Sequence, residues 1–211
     1  MKLKCVIGII SYFPDDKNIT NQRYQKLCAL LTKCHQLFNL PIIIIAQNWK
    51  SELVRVPWVT IYRYPEKLGI TGARKELRKI FLESDYDYLI MLDDDCEVYG
   101  NSGKEYLKQI DENPDCFIEF NKTLLKLFAI SKTLFKEVDY GDLNPENGEG
   151  FEDRLFVNTL REKFPGCRRE FKNTGVEQHS ESTADPLSTW YKNQDLKKML
   201  ENTENKLKEI E

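Results

Sequence analysis

The feature that most restricts how this chain can fold is a continuous apolar run, Tyr88-Leu89-Ile90-Met91-Leu92, that leads directly into Asp93-Asp94-Asp95. A short run of this kind, bounded by polar residues, reads as a strand buried on both faces. Three adjacent carboxylates repel one another, and a folded protein tolerates them when a cation or hydrogen-bond donors compensate. Buried strands of this type belong to mostly parallel sheets, in which ligands lie beyond the carboxyl ends of the strands. The plain alternative is an acidic turn after a strand, with no ligand.

The flanking sequence supports such a sheet. Residues 6–10 form a first apolar strand that stops at Ser11-Tyr12-Phe13-Pro14. Tyr24, Leu27, Leu31 and Phe38, with Cys28 and Cys34, recur at helical spacing and predict a helix over 22–38. A second strand follows at 42–45, ending at Gln47-Asn48, and a third at 59–62. A helix over about 71–83, opened by Gly69 and Gly72 and capped by Thr71, precedes the strand that carries the aspartates. Alternating strands and helices of these lengths predict a doubly wound, mostly parallel sheet.

The second half reads differently. Apolar segments at 116–120 and 124–130, separated by Asn121-Lys122-Thr123, predict a hairpin that makes the sheet mixed. A Gly, Asn, Asp and Pro-rich loop over 139–150 leads into a helix from Glu152 to about Phe164. Residues 168–185 show little periodicity and are expected to be a mobile loop. Beyond Pro186, Leu196, Met199, Leu200, Leu207 and Ile210 mark one side of a polar closing helix.

With 211 residues and 41% hydrophobic content, the chain suffices for one sizeable domain. A formal charge of −3 excludes the broad basic field that drives nonspecific nucleic-acid binding. The six cysteines include no C-x-x-C pair and are expected to be reduced and structural. The apolar start ends at Pro14-Asp15-Asp16 with no small-residue cleavage site, so it reads as a strand and not as a secretion signal. No stretch approaches the roughly 20 apolar residues that span a bilayer. A cytoplasmic protein is expected, with peripheral membrane association as an open option.

A second acidic motif, Gly148-Glu149-Gly150-Phe151-Glu152-Asp153, places two carboxylates at a helix start. The helix dipole favours their ionised form, and an ionised carboxylate is what a general base requires. A simple acidic helix cap is the competing reading.

Taken in this order, the two motifs resemble those of the GT-A glycosyltransferases, in which a D-x-D motif follows a buried strand and a G-x-G-x-E-D type element lies downstream. The resemblance implies an α/β, GT-A-like fold: a Rossmann-type mixed central sheet flanked by helices in a single domain. The catalytic domain would span 1–185, with a donor half over about 1–100 and an acceptor half over about 101–185, followed by a helix at 186–211. Asp93 or Asp94 would contact the ribose or metal, and Asp95 would ligate Mn2+ or Mg2+. The triplet fits an Asp93/Asp95 pair and an Asp94/Asp95 pair equally. Asp153 would be the catalytic base and Glu152 would hold the acceptor.

Gly69-Ile70-Thr71-Gly72-Ala73-Arg74 resembles the family's G-x-x-x-A-R segment, which implies a phosphate or nucleotide contact from Arg74. Tyr12 and Asn48 stand where the family binds the nucleotide base, and His179 matches a downstream histidine that serves some members as a third metal ligand. The implied donor is a nucleoside diphosphate sugar, with UDP as the expected nucleotide. The implied acceptor is a glycan or another hydroxyl-bearing molecule, a nucleic-acid acceptor being the least expected.

The leading expectation is metal-dependent glycosyl transfer with inversion. A nucleotidyltransferase shares strand-end aspartates and metal, but would be expected to carry a glycine-rich basic loop after the first strand, and SYFPDDKN contains no glycine. A non-catalytic nucleotide-sugar-binding module is the third option, and GEGFED speaks against it.

Overall fold

The structure, a computed structural model, describes residues 3–49, 56–98, 102–120, 127–140, 151–171 and 176–178. Its elements are β1 (Cys5–Tyr12), α1 (Lys17–Phe38), β2 (Ile42–Gln47), β3 (Val59–Tyr64), α2 (Gly69–Glu83), β4 (Tyr88–Asp93) and β5 (Cys96–Val98). These are followed by α3 (Ser102–Glu112), β6 (Phe117–Phe120), β7 (Leu127–Ser131), α4 (Lys132–Glu137), α5 (Phe151–Lys163), β8 (Arg168–Phe171) and β9 (Val176–Gln178).

Seven strands form one sheet in the order β3-β2-β1-β4-β7-β6-β8, and β5 pairs with β9 in a small second sheet. β3, β2, β1 and β4 are mutually parallel, while β7 is antiparallel to both β4 and β6. β8 runs parallel to β6, so β7 alone opposes the common direction within the large sheet. The result is the single-domain mixed sheet flanked by helices that the motifs imply.

Both faces of the sheet are covered, which is why β1, β2 and β4 read as unbroken apolar runs. On one face, Leu27, Leu31, Cys34 and Phe38 of α1 and Tyr106 and Ile110 of α3 pack against Ile7, Ile9, Ile44 and Ile90. On the other, Leu77 and Phe81 of α2 and Phe156 and Leu160 of α5 meet Val6, Ile45, Leu89 and Met91. Successive strand residues alternate between these two cores, as the period of a strand requires. The two helices of the first face touch at Gly103, where a Cβ would lie 2.1 Å from the Leu37 carbonyl oxygen.

Three expectations are corrected. First, α1 begins at Lys17 and not at 22, because the Asp16 carboxylate caps it by accepting from the Asn18 and Ile19 N–H groups at 2.9 and 3.0 Å. Second, Thr71 caps nothing: α2 starts at Gly69, and Thr71 lies inside it. The N-cap residue Leu68 makes no side-chain cap bond, and its N–H instead donates to Gln47 Oε1 at 2.8 Å. Third, part of 168–185 is not loop, since β8 adds to the large sheet and β9 pairs with β5. β8 carries no apolar alternation to announce it. Its anchor is a distant one, Arg168, whose Nε donates to the buried Glu119 carboxylate at 2.6 Å.

β5, α3 and α4 are elements the sequence reading did not identify. The expected β6–β7 pairing is present, with narrower strands; residues 121–126 lie outside the described residues, as do 141–150 and the closing helix at 186–211. No helix among the described residues is long and apolar enough to cross a membrane.

Candidate functional site

β4 lies next to β1 near the middle of the sheet and delivers the aspartates at its carboxyl end. Met91 faces the α2 side and Leu92 the α1 side. Continuing this alternation, Asp93 meets α2 and Asp94 meets α1. Each finds an arginine there.

On the α2 side, Arg74 is 3% exposed and its Nη2 stands 3.7 Å from Asp93 Oδ1. Its guanidinium lies over the Tyr140 ring at 5.7 Å from the centroid. On the α1 side, Arg23 is 6% exposed and forms an ion pair with Asp94 Oδ2 through Nη2. Ser11 Oγ donates to the same carboxylate oxygen, and Arg23 Nε donates to the Tyr12 carbonyl at 2.8 Å. Asp95 is half-buried in the turn that leads into β5. Two of the three carboxylates thus face a guanidinium, one on each side of the sheet.

Arg23 and Ser11 are members of the cluster that the sequence reading did not single out. A signal for Arg23 was present. It stands four residues before Leu27 and eleven before Cys34, on the stripe of α1 that is otherwise apolar and buried. A cation on such a stripe requires a buried anionic partner.

The other expected residues are placed as follows. Tyr12 ends β1, with Lys67 Nζ 5.3 Å from its ring centroid. Asn48 follows β2 in a left-handed conformation, φ 54°, and its Nδ2 donates to the Phe13 carbonyl at 2.8 Å. Its backbone N–H donates to the Tyr64 carbonyl at 2.8 Å, so Asn48 ties together the ends of β1 and β3. Beside it, Trp49 packs edge-on against Phe13 at 3.9 Å between ring centroids.

Glu152 and Asp153 fall in the first turn of α5, while the placement of their side chains lies outside what the structure describes. Because α5 leads into β8 through a short turn and β8 points the same way as β4, α5 starts at the edge of the sheet where β4 ends. Phe156, one turn further on, anchors it by stacking on Tyr140 at 4.6 Å between centroids. Asp93, Arg74, Tyr140 and Phe156 thus form a packed series from the aspartate turn to the α5 helix. His179 lies outside the described residues; the residue before it, Gln178, pairs with Cys96, next to Asp95.

Among the described residues, no group of three or more His, Cys, Asp or Glu side chains is arranged to hold a metal by itself. Asp93 and Asp95 are hard oxygen donors, and they suit a magnesium or manganese ion that takes its remaining ligands from phosphate and water. Asp94, bound by Arg23 and Ser11, is already satisfied.

Several solved structures share the fold. S. aureus TarS superimposes with a TM-score of 0.54 at 12% identity over 81% of this chain. A protein described as a glucose-1-phosphate thymidylyltransferase from Bacillus anthracis gives 0.55 at 10% identity, covering 82% of this chain and 89% of its own. A protein described as a nucleotide-diphospho-sugar transferase from Desulfovibrio desulfuricans G20 gives 0.50 at 9% identity over 80% of this chain. The chain spans 35% of the length of the TarS structure and 79% of the Desulfovibrio one. No protein-family model and no curated protein sequence matches the chain. At these identities the likeness is one of architecture, and the architecture is the one these proteins share.

Proposed function

We propose that this protein is a glycosyltransferase that takes a sugar from a nucleoside diphosphate sugar in a reaction assisted by Mn2+ or Mg2+. The observation that carries the reading is the aspartate turn at the end of β4, set at the same edge of the sheet as the start of α5. The fold shared with proteins described as nucleotide-sugar enzymes supports it.

In this reading, Asp93 and Asp95 hold the ion, which supplies charge neutralisation for the departing diphosphate. Arg74 fixes the Asp93 carboxylate from behind, and Asn48 holds the ends of β1 and β3 around the nucleotide end of the site. Asp153, in the first turn of α5, accepts the proton of the acceptor hydroxyl, the helix dipole keeping it ionised. Attack from that side displaces the diphosphate with inversion. His179 is assigned as a further ligand, supported by the pairing of the neighbouring Gln178 beside Asp95. UDP is the expected nucleotide.

A nucleotidyltransferase is the second reading, favoured by the likeness to the thymidylyltransferase-described structure. The absence of glycine from SYFPDDKN, after β1, argues against it. The two are separated by a product assay with nucleotide sugars and with sugar phosphate plus nucleoside triphosphate. Thermal denaturation with a panel of nucleotide sugars, each without metal, with Mn2+ and with Mg2+, tests donor and metal together, because a ligand that binds the folded state stabilises it more the tighter it binds. A metal-dependent rise in Tm with one donor, abolished by Asp95→Asn, is expected. If no nucleotide sugar raises Tm with either metal, the reading is wrong. Asp153→Asn is expected to retain the shift and lose transfer, and transfer at the wild-type rate would remove Asp153 as the base.

A further inference from the structure

We propose that Arg23 is a positioning residue for the metal site: by holding Asp94 on the α1 side of the sheet, it sets the aspartate turn so that Asp93 and Asp95 present their carboxylates together. The inference deepens the proposed function and rests on it.

A guanidinium only 6% exposed, on the apolar stripe of a helix, is costly to bury unless it is fully engaged. Arg23 is engaged at two points of the cluster. Nη2 pairs with Asp94 Oδ2, and Nε donates to the Tyr12 carbonyl at 2.8 Å, at the end of β1. Ser11 Oγ adds a second donor to the same Asp94 oxygen. The planar fork of arginine thus joins α1, the last residue of β1 and the first residue after β4.

The consequence follows from strand alternation. With Asp94 committed to the α1 face, Asp93 is directed to the α2 face, where Arg74 meets it. The turn then carries the chain through Asp95. The ambiguity left by three consecutive aspartates is thereby resolved: Asp94 is the spacer, and Asp93 and Asp95 are the ligand pair. Releasing Asp94 would loosen the turn and separate the carboxylates of Asp93 and Asp95.

The test is a titration of Mn2+ in the presence of UDP, with loss of the free-Mn2+ EPR signal as the readout, at a temperature well below the melting point of each variant. Arg23→Met is expected to weaken Mn2+ binding by tenfold or more. The Arg23→Met/Asp94→Asn double variant lacks the ion pair as well and is expected to bind Mn2+ as weakly as Arg23→Met. Arg23→Lys, which keeps the charge but not the fork, should fall between and serves if Arg23→Met does not fold. Two results would overturn the inference: Arg23→Met or, in its place, Arg23→Lys binding Mn2+ as the parent does, or a double variant that recovers the parent's affinity, which would trace the loss to a stray charge and not to a displaced turn. If the parent itself binds no Mn2+ with UDP, the metal-assisted function falls, and the positioning role with it.

Discussion

Replacing Arg74 by methionine tests whether the arginine behind Asp93 is a counter-charge or mere packing. At 3.7 Å and an effective dielectric of about 20, the attraction between the two groups is about 4 kcal/mol. The stacking of the guanidinium over Tyr140 adds on the order of 1 kcal/mol. Against these stands the desolvation of a guanidinium only 3% exposed, a cost of several kcal/mol that methionine does not carry. The Asp93 side chain, 20% exposed, is partly hydrated and reduces the attraction further. A net loss of about 2 kcal/mol is expected, which for a domain of this size lowers Tm by roughly 4–8 °C. The assay is thermal denaturation followed by circular dichroism at pH 7, for Arg74→Met, Asp93→Asn and the double variant. A coupling of about 1 kcal/mol or more between the two positions is expected. Because Arg74 is buried and Asp93 only partly exposed, 1 M salt should leave most of that coupling in place. Strict additivity, or an Arg74→Met protein that melts with the parent, would refute the counter-charge argument.

Gly103→Ala should destabilise the protein by about 1–3 kcal/mol, because its Cβ would stand 2.1 Å from the backbone oxygen of Leu37 and force α1 and α3 apart. Gly8→Ala should cost less in the same denaturation experiment, since it meets only the movable ends of Leu77 and Leu89, at 2.7 and 2.8 Å. Arg168→Met strips the buried Glu119 of its paired guanidinium and should cost about 3–5 kcal/mol by urea denaturation; a loss below ~1 kcal/mol would show that the pair does not hold β8 to β6. The Tyr64 phenol is pushed up to about 12 by burial and by its hydrogen bond to Glu76. The folded state therefore holds that proton more tightly than the unfolded chain, so the associated stability is complete below pH 10 and disappears as pH rises towards 12. Comparing parent and Tyr64→Phe by absorbance at 295 nm should show one tyrosine fewer ionising at the high end.

Much of the architecture was legible because local patterning and global packing agree in the first half of the chain. The apolar runs of β1, β2 and β4 are long enough to identify two-sided burial, and Leu27, Leu31, Cys34 and Phe38 mark the buried side of α1 at helical spacing. Where that agreement fails, the sequence reading fails too. Thr71 looks like a helix cap, but Gln47 of a distant strand engages the Leu68 N–H and the helix begins earlier. β8 has no alternation to detect, because a charged residue of its own pairs with a buried charge on β6.

The chain by itself determines the alternation of strand and helix and the placing of three carboxylates at the end of a buried strand, since both follow from residue order and local periodicity. It also determines the acidic start of α5, from residue types alone. Which aspartate faces which side, and that buried arginines from α1 and α2 meet two of the three, was decided only when the sheet assembled. Those pairings join residues 71 and 19 positions apart along the chain, numbers that follow from Arg23–Asp94 and Arg74–Asp93. Coulomb attraction depends on separation in space, and only packing two helices onto opposite faces of one strand brings that separation to contact.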